Sequence, residues 1–247
     1  MPCRNCGSHE LIKAHLIPRA FAVEVKVGKS IAAGVKSSEA FTHSQSGIWD
    51  DQILCGRCDG VLGRYENYTL GLTKRIRACP DTSPWQQHVL SGVDSEYVLK
   101  FCAGILYKFS LTTPPKGRIG LGRYQDVLRR FLFEPGVECP PEIDALIIRP
   151  LRFPSDDGVF AYRAPRDDRQ HGLNCYRMMM GGVIFFVFLD SRGIALHSAR
   201  DSFIKGESNT MIFTTVPAQA YEEFAIPARL VNQGRLSDFL DRVEGQN

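Results

Sequence analysis

The chain has 247 residues, 44% of them hydrophobic and 23% charged, with a formal net charge of +3. That is enough apolar material for a substantial core and excludes a disordered or low-complexity chain. The longest apolar run, Val183 to Leu189, is of strand length and excludes a membrane-spanning helix.

The first 66 residues carry the densest chemistry. Cys3 and Cys6 form one C-x-x-C pair, and Cys55 and Cys58 form a second, with 48 residues between the pairs. Each pair can present two sulfurs to one ion, and four soft thiolates in a tetrahedral set favour structural zinc. Lys13, His15 and Arg19 interrupt what would be the core of a secretory signal, so a soluble, cytoplasmic protein is expected. In a reducing compartment, metal ligation explains the paired cysteines and burial explains Cys79, Cys102, Cys139 and Cys175. A redox C-x-x-C is the lesser alternative, because no thioredoxin-like pattern surrounds either pair.

Gly7 closes a first knuckle, and Glu10 to Pro18 reads as a short extended segment, Pro18 biasing Ile17 to β geometry. Ala20 to Val23 suggests a brief helical turn. Gly28 to Gly47 is rich in Ser, Gly, Ala and Lys, which predicts a mobile or hairpin-like insertion. After Cys58, the spacing of Leu62, Tyr65 and Tyr68 or Thr69 predicts an amphipathic helix running toward Arg77. Knuckle, strand pair and knuckle on a helix, in that order, is the layout of a treble-clef zinc fold. Residues 1–80 hold eleven Lys/Arg against seven Asp/Glu, leaving 19 against 20 for the remainder. This modest excess suits a surface facing nucleic acid, and a solvated face explains it about as well.

The turn-rich stretch from Cys79 to Pro84 divides a zinc module over 1–80 from a mixed α/β domain over 81–247. Val98 to Phe109 and Tyr124 to Leu132 keep helical spacing and predict core helices. From Ala145 the period changes. Leu146–Ile148, Val159–Tyr162, Cys175–Met179, Val183–Leu189 and Met211–Thr215 predict short strands of an antiparallel β region, with a hairpin turn at Gly181–Gly182. Ser237 to Val243 predicts a closing helix. The fold class expected is therefore α+β. Lys116 to Gly122 superficially suggests a phosphate loop, but it lacks the Walker spacing and a preceding strand.

Paired knuckles with a histidine after the first and a carboxylate after the second resemble the HNH (ββα-metal) nuclease module. More closely, C-x-x-C, then S/A-H-I/L-I-P-R/K-A/F-F, then D-x-x-L-C-x-x-C-D/E-x-x-L/F-x-x-W/Y-E is similar to a widespread, uncharacterised bacterial group of HNH-like proteins. The matching segments are Cys3 to Cys6, Ala14 to Phe21 and Asp51 to Glu66. The resemblance implies an endonuclease hydrolysing phosphodiesters, with DNA the favoured partner. It makes His15 the general base and Asp50 or Asp51 the group that orients it. Asp59 becomes a ligand for a catalytic magnesium or manganese ion. The acidic ligand that ordinarily precedes the histidine is here Ala14.

Each of these residues also has a plainer role. His15 could brace the knuckle through a backbone carbonyl, Asp59 could cap the helix, and Asp50 and Asp51 could be turn residues. Glu66 shares the helix face of Asp59 and could be a further ligand, or an exposed charge beside Arg64 or a nearby lysine. Arg19 could hold a phosphate or merely cover the surface. His9, His43, His88, His171 and His197 fall in no motif. Against the nuclease stands a non-catalytic, zinc-scaffolded protein that binds nucleic acid or another protein, in a phage-related or defence setting that the resemblance hints at. On either reading the C-terminal domain would supply self-association or protein contacts, and for the nuclease also substrate choice.

Overall fold

A computed structural model describes residues 1–25, 31–34, 41–44, 47–80, 83–151, 162–170, 172–192, 200–205 and 209–221. The helices are α1 (Arg19–Glu24), α2 (Gly56–Arg77), α3 (Ser95–Leu111) and α4 (Tyr124–Phe133). The first five strands are β1 (Ala14–His15), β2 (Ile31–Gly34), β3 (Phe41–Ser44), β4 (Trp49–Asp50) and β5 (Gln87–Val93). They are followed by β6 (Ile143–Leu151), β7 (Arg163–Gln170), β8 (Leu173–Met180), β9 (Val183–Leu189) and β10 (Asn209–Pro217). None of the described helices is long and apolar enough to cross a membrane.

Helix α2 follows from its spacing. Cys58, Leu62, Thr69, Leu72, Thr73 and Ile76 are buried and fall on one side of a 3.6-residue period. Lys74, Arg75 and Arg77 occupy its last turn, where cations oppose the negative end of the helix dipole. Gly60, Gly63 and Gly71 weaken it by about 1 kcal/mol each relative to alanine, yet a Cβ at any of the three would meet no atom within 4 Å. Helix α3 is buried on nearly every side from Val98 to Ser110, because it lies between the sheet and helices α2 and α4. It starts at Asp94, whose carboxylate accepts the Tyr97 N–H at 3.0 Å.

Eight strands form one sheet in the order β3-β2-β7-β8-β9-β6-β10-β5, while β1 and β4 pair separately. Most neighbours are antiparallel, as expected, but β6 pairs with β10 in parallel and β2 meets β7 in parallel at Gly34 and Arg163. The sheet is therefore mixed. Sequence pattern missed two of its strands. β7 carries Pro165 and a run of Arg and Asp, and β5 is an exposed edge with a weak apolar alternation. The 28–47 stretch contributes an antiparallel hairpin, β2–β3, at the far edge of this sheet. The expected strand over Val159–Tyr162 falls, apart from Tyr162, outside the described residues, as does the closing helix over Ser237–Val243.

The division at residue 80 does not separate two cores. One cluster of buried side chains runs from Cys3, Leu16 and Phe21 through Leu62, Phe101 and Phe131 to Phe185 and Phe213. A second cluster, with Ile184, Phe186 and Phe188 from the other face of β9, lies across the sheet. The β8–β9 turn ties the first layer together. Gly181 and Gly182 both have positive φ, +62° and +73°, which a two-residue hairpin of the primed type requires. The tip is pressed into the angle between α1 and α2, where a Cβ on Gly181 would come within 2.7 Å of Phe21 and Thr73. Arg77 holds it there, donating to the Gly181 carbonyl at 2.5 Å and to Glu24 at 2.9 Å.

Candidate metal centre

The two C-x-x-C pairs meet. Cys3, Cys6, Cys55 and Cys58 place their sulfurs within 4.8 Å of one another, and Cys6 Sγ lies 3.5 Å from Cys55 Sγ. An ion about 2.3 Å from four tetrahedral sulfurs needs them about 3.8 Å apart, so the spacing fits one metal and is far from a disulfide. The local chain explains the convergence. Gly7, at φ +76°, turns the chain back so that its N–H donates to the Cys3 carbonyl at 2.9 Å. Arg4 N–H to Ile53 and Ile12 N–H to Leu54 then lace the first knuckle to the strand leading into the second. Cys55 takes the N-cap position of α2 and Cys58 lies in its first turn.

Hydrogen-bond donors surround the sulfurs. The Cys55 N–H donates to Cys3 Sγ at 3.4 Å and the Asn5 side chain to Cys58 Sγ at 3.3 Å. Burial opposes ionisation of Cys3, but the backbone N–H groups of Cys6, Asn5 and Cys55 outweigh it and bring the thiol down to about 7. Cys58 is pushed up, by burial first, with Asn5 opposing, and then by the three neighbouring sulfurs. Four sulfurs crowded together in this way favour a bound cation, which stabilises their thiolate forms and relieves their mutual repulsion. Three of the four are buried and Cys6 is exposed. From behind, Tyr107 of α3 donates its hydroxyl to the Arg4 carbonyl at 3.4 Å.

The other residues singled out by sequence lie deeper in the same region. β1 and β4 pair antiparallel with Ala14 opposite Asp50 and His15 opposite Trp49. Alternation across the pleat puts Asp50 on the Ala14 face and His15 on the Trp49 face. Asp50 is buried and committed elsewhere. Its carboxylate accepts the Gln52 N–H at 2.9 Å and the Thr112 hydroxyl at 2.6 Å, with the Lys116 ammonium at 3.2 Å. Burial opposes its ionisation, and these three donors more than reverse that, leaving the carboxyl below its usual range. Asp51 is exposed in the bend that follows. His15 is half-buried, with its Nε2 closed off from solvent.

Asp59 is not the helix cap. The helix begins at Gly56, because Cys55 is held extended by its bridge to Leu11, and Asp59 lies within the first turn. It faces inward with Glu66, two turns on, toward Lys108 of α3. Lys108 is almost wholly buried, and its ammonium donates to the His15 carbonyl at 2.6 Å and to Glu66 at 2.5 Å. Burial pushes the Asp59 carboxyl up, the Lys108 charge pulls it down and Glu66 pushes it up again. Glu66 is thus no exposed partner of Arg64. It forms a sheltered pair with a lysine from another helix.

The structure therefore gathers the His15 backbone, Asp59 and Glu66 around one ammonium, and holds Asp50 to Thr112 and Lys116. Among the described residues, the four cysteines are the only group of three or more His, Cys, Asp or Glu side chains whose ligand atoms converge on one point. Sequence reasoning missed Lys108. Its signal was a lone cation in an apolar stretch, flanked by Ile105, Leu106 and Phe109, on a helix buried all round. No protein-family model, curated protein or solved structure matches the chain.

Proposed function

We propose that this chain is built on a treble-clef module of the HNH-like kind, stapled by structural zinc, and that it is a degenerate relative that binds nucleic acid without hydrolysing it. Cys3, Cys6, Cys55 and Cys58 would hold the zinc. A closed shell of four thiolates leaves no position for water or substrate, so the ion supplies folding energy and no Lewis acidity to a reaction. The order of knuckle, strand pair and knuckle on a helix supports the treble-clef reading, and the N-terminal excess of Lys and Arg supports the nucleic-acid partner.

One observation carries the non-hydrolytic half: the Lys108 ammonium sits on Glu66 and on the His15 carbonyl, where the inward carboxylates of α2 would otherwise gather a divalent cation. A fixed side-chain charge balances those carboxylates without magnesium or manganese. Ala14, fully buried at the position of the missing acidic ligand, supports the same conclusion. So does Asp50, whose carboxylate is spoken for by Thr112 and Lys116. The catalytic reading, with His15 as base and Asp59 as cation ligand, keeps one argument in its favour: both residues do border the same buried charge cluster.

Metal analysis and plasmid nicking separate the readings. One zinc per chain is expected, lost in Cys55→Ser, together with no nicking in magnesium or manganese above the level of His15→Ala. A metal-free folded protein removes the staple. Metal-dependent nicking that disappears in a folded His15→Ala variant establishes the nuclease and removes the degenerate reading.

A further inference from the structure

The outward side of α2 is not used by the metal centre or the core. Its outermost line, Gly60, Arg64, Asn67, Gly71 and Lys74, recurs at helical spacing and is exposed throughout. Arg57 and Arg75, also exposed, flank it. The helix has only two acidic residues, Asp59 and Glu66, and both face inward toward Lys108. The outer side is therefore uniformly basic. Arg75 is occupied in part by the Gly92 and Ser91 carbonyls. By contrast Arg57, Arg64 and Lys74 take part in no side-chain hydrogen bond or ion pair among the described residues.

We propose that this side of α2 lies along the phosphate backbone of duplex DNA, with Arg57, Arg64 and Lys74 each meeting a phosphate. The inference rests on the nucleic-acid reading above and assigns it a surface and a form of nucleic acid. At 1.5 Å of rise per residue, the three cations form a rigid row about 25 Å long, which suits a regular backbone. The glycines Gly60 and Gly71 have open space where a side chain would stand. No packing among the described residues requires them, and their absent side chains let the helix approach a partner closely. A single strand would need aromatic platforms for its bases. A protein partner would need an apolar anchor at the centre of the contact. This line offers neither: none of the exposed large hydrophobic side chains among the described residues comes from α2.

The test is fluorescence anisotropy of the full, zinc-loaded chain on a labelled duplex of about 20 base pairs, titrated between about 50 and 200 mM NaCl. Three phosphate contacts account for about a 40-fold loss of affinity over that range. The triple variant Arg57→Ala/Arg64→Ala/Lys74→Ala should lose that share, its log–log salt slope becoming shallower by about 3. Gly71→Glu improves helix propensity and puts a carboxylate on the line, so it should bind at least about tenfold more weakly at low salt while melting no earlier than the parent. If the parent binds duplex but both variants bind with unchanged affinity and slope, this surface assignment fails and the nucleic-acid reading survives. Equal or tighter binding of a uridine single strand, with the same sensitivity to the variants, overturns the choice of duplex. No binding of any nucleic acid at low salt overturns the functional reading together with this surface.

Discussion

Replacing Lys108 by methionine removes a buried ammonium while keeping most of the side-chain volume. The wild-type group is 1% exposed and gives charge-assisted hydrogen bonds to the His15 carbonyl and to Glu66. Breaking a buried pair by deleting one partner costs about 3–5 kcal/mol, because the other charge is left in a poor dielectric. Glu66 is 18% exposed and can recover some hydration, which places Lys108→Met at the low end, about 3 kcal/mol. For a chain of this size that lowers the melting temperature by about 6–12 °C. Adding Glu66→Gln removes the charge that was directly paired, so the double variant should regain part of the loss and leave the unmet His15 carbonyl, about 1 kcal/mol, and Asp59 without its counter-charge. Thermal unfolding followed by circular dichroism, with zinc content measured in parallel, reads the effect separately from metal loss. A fall of less than about 3 °C for the single variant, or a double variant no more stable than the single, would refute the assignment of Lys108 as the charge that balances α2.

Two further substitutions probe the sheet and its attachment. Gly181→Ala forces a Cβ to within 2.7 Å of Phe21 and Thr73 at φ +62°; left-handed strain and overpacking together should cost about 2–4 kcal/mol, and a melting temperature equal to that of the parent would show that the hairpin tip is not wedged between α1 and α2. Asp144 is held up at about 6, by burial first, against the Lys205 and Ala145 N–H groups that its carboxylate accepts. A carboxyl raised above its unfolded value favours the fold while protonated and loses that contribution as pH climbs from about 4 through about 6, by up to about 3 kcal/mol. Asp144→Asn should therefore flatten that part of the stability–pH curve and raise stability at pH 7; an unchanged curve would mean that Asp144 is not the group responsible.

The cysteine pairs were legible because metal ligation constrains spacing, and the four sulfurs do converge. The core helices and strands β6, β8, β9 and β10 were legible because their apolar residues keep period. β7 was not. Asp168 of β7 pairs with Arg177 of the neighbouring β8 at 3.3 Å, so its charge is met across the sheet where an isolated segment would leave it in water. The shared core was hidden for a related reason. A boundary read from Pro80 and Pro84 reports a turn in the chain, whereas the joining of α2 to α3 and of Gly181 to Arg77 depends on contacts more than thirty residues apart.

Lys108 illustrates how a residue outside a sequence motif sets the surroundings of the residues within it. The segments around His15 and Asp59 carry the residues read from sequence as an active site, yet the residue that meets Glu66 and faces Asp59 comes from α3, outside those segments. A divalent ion and a buried ammonium can satisfy the same carboxylates, but only the ion can also polarise a phosphate and carry a water. The ammonium's donors are directed at the His15 carbonyl and Glu66, so it braces β1 against α2. On this geometry α2 has three aspects: its N-cap and first turn supply two cysteines, its inner side neutralises Lys108, and its outer side keeps only positive charge. The inward placement of both acids is what leaves that outer side unopposed, so the scaffold and the proposed binding surface are set by the same arrangement of charge on one helix.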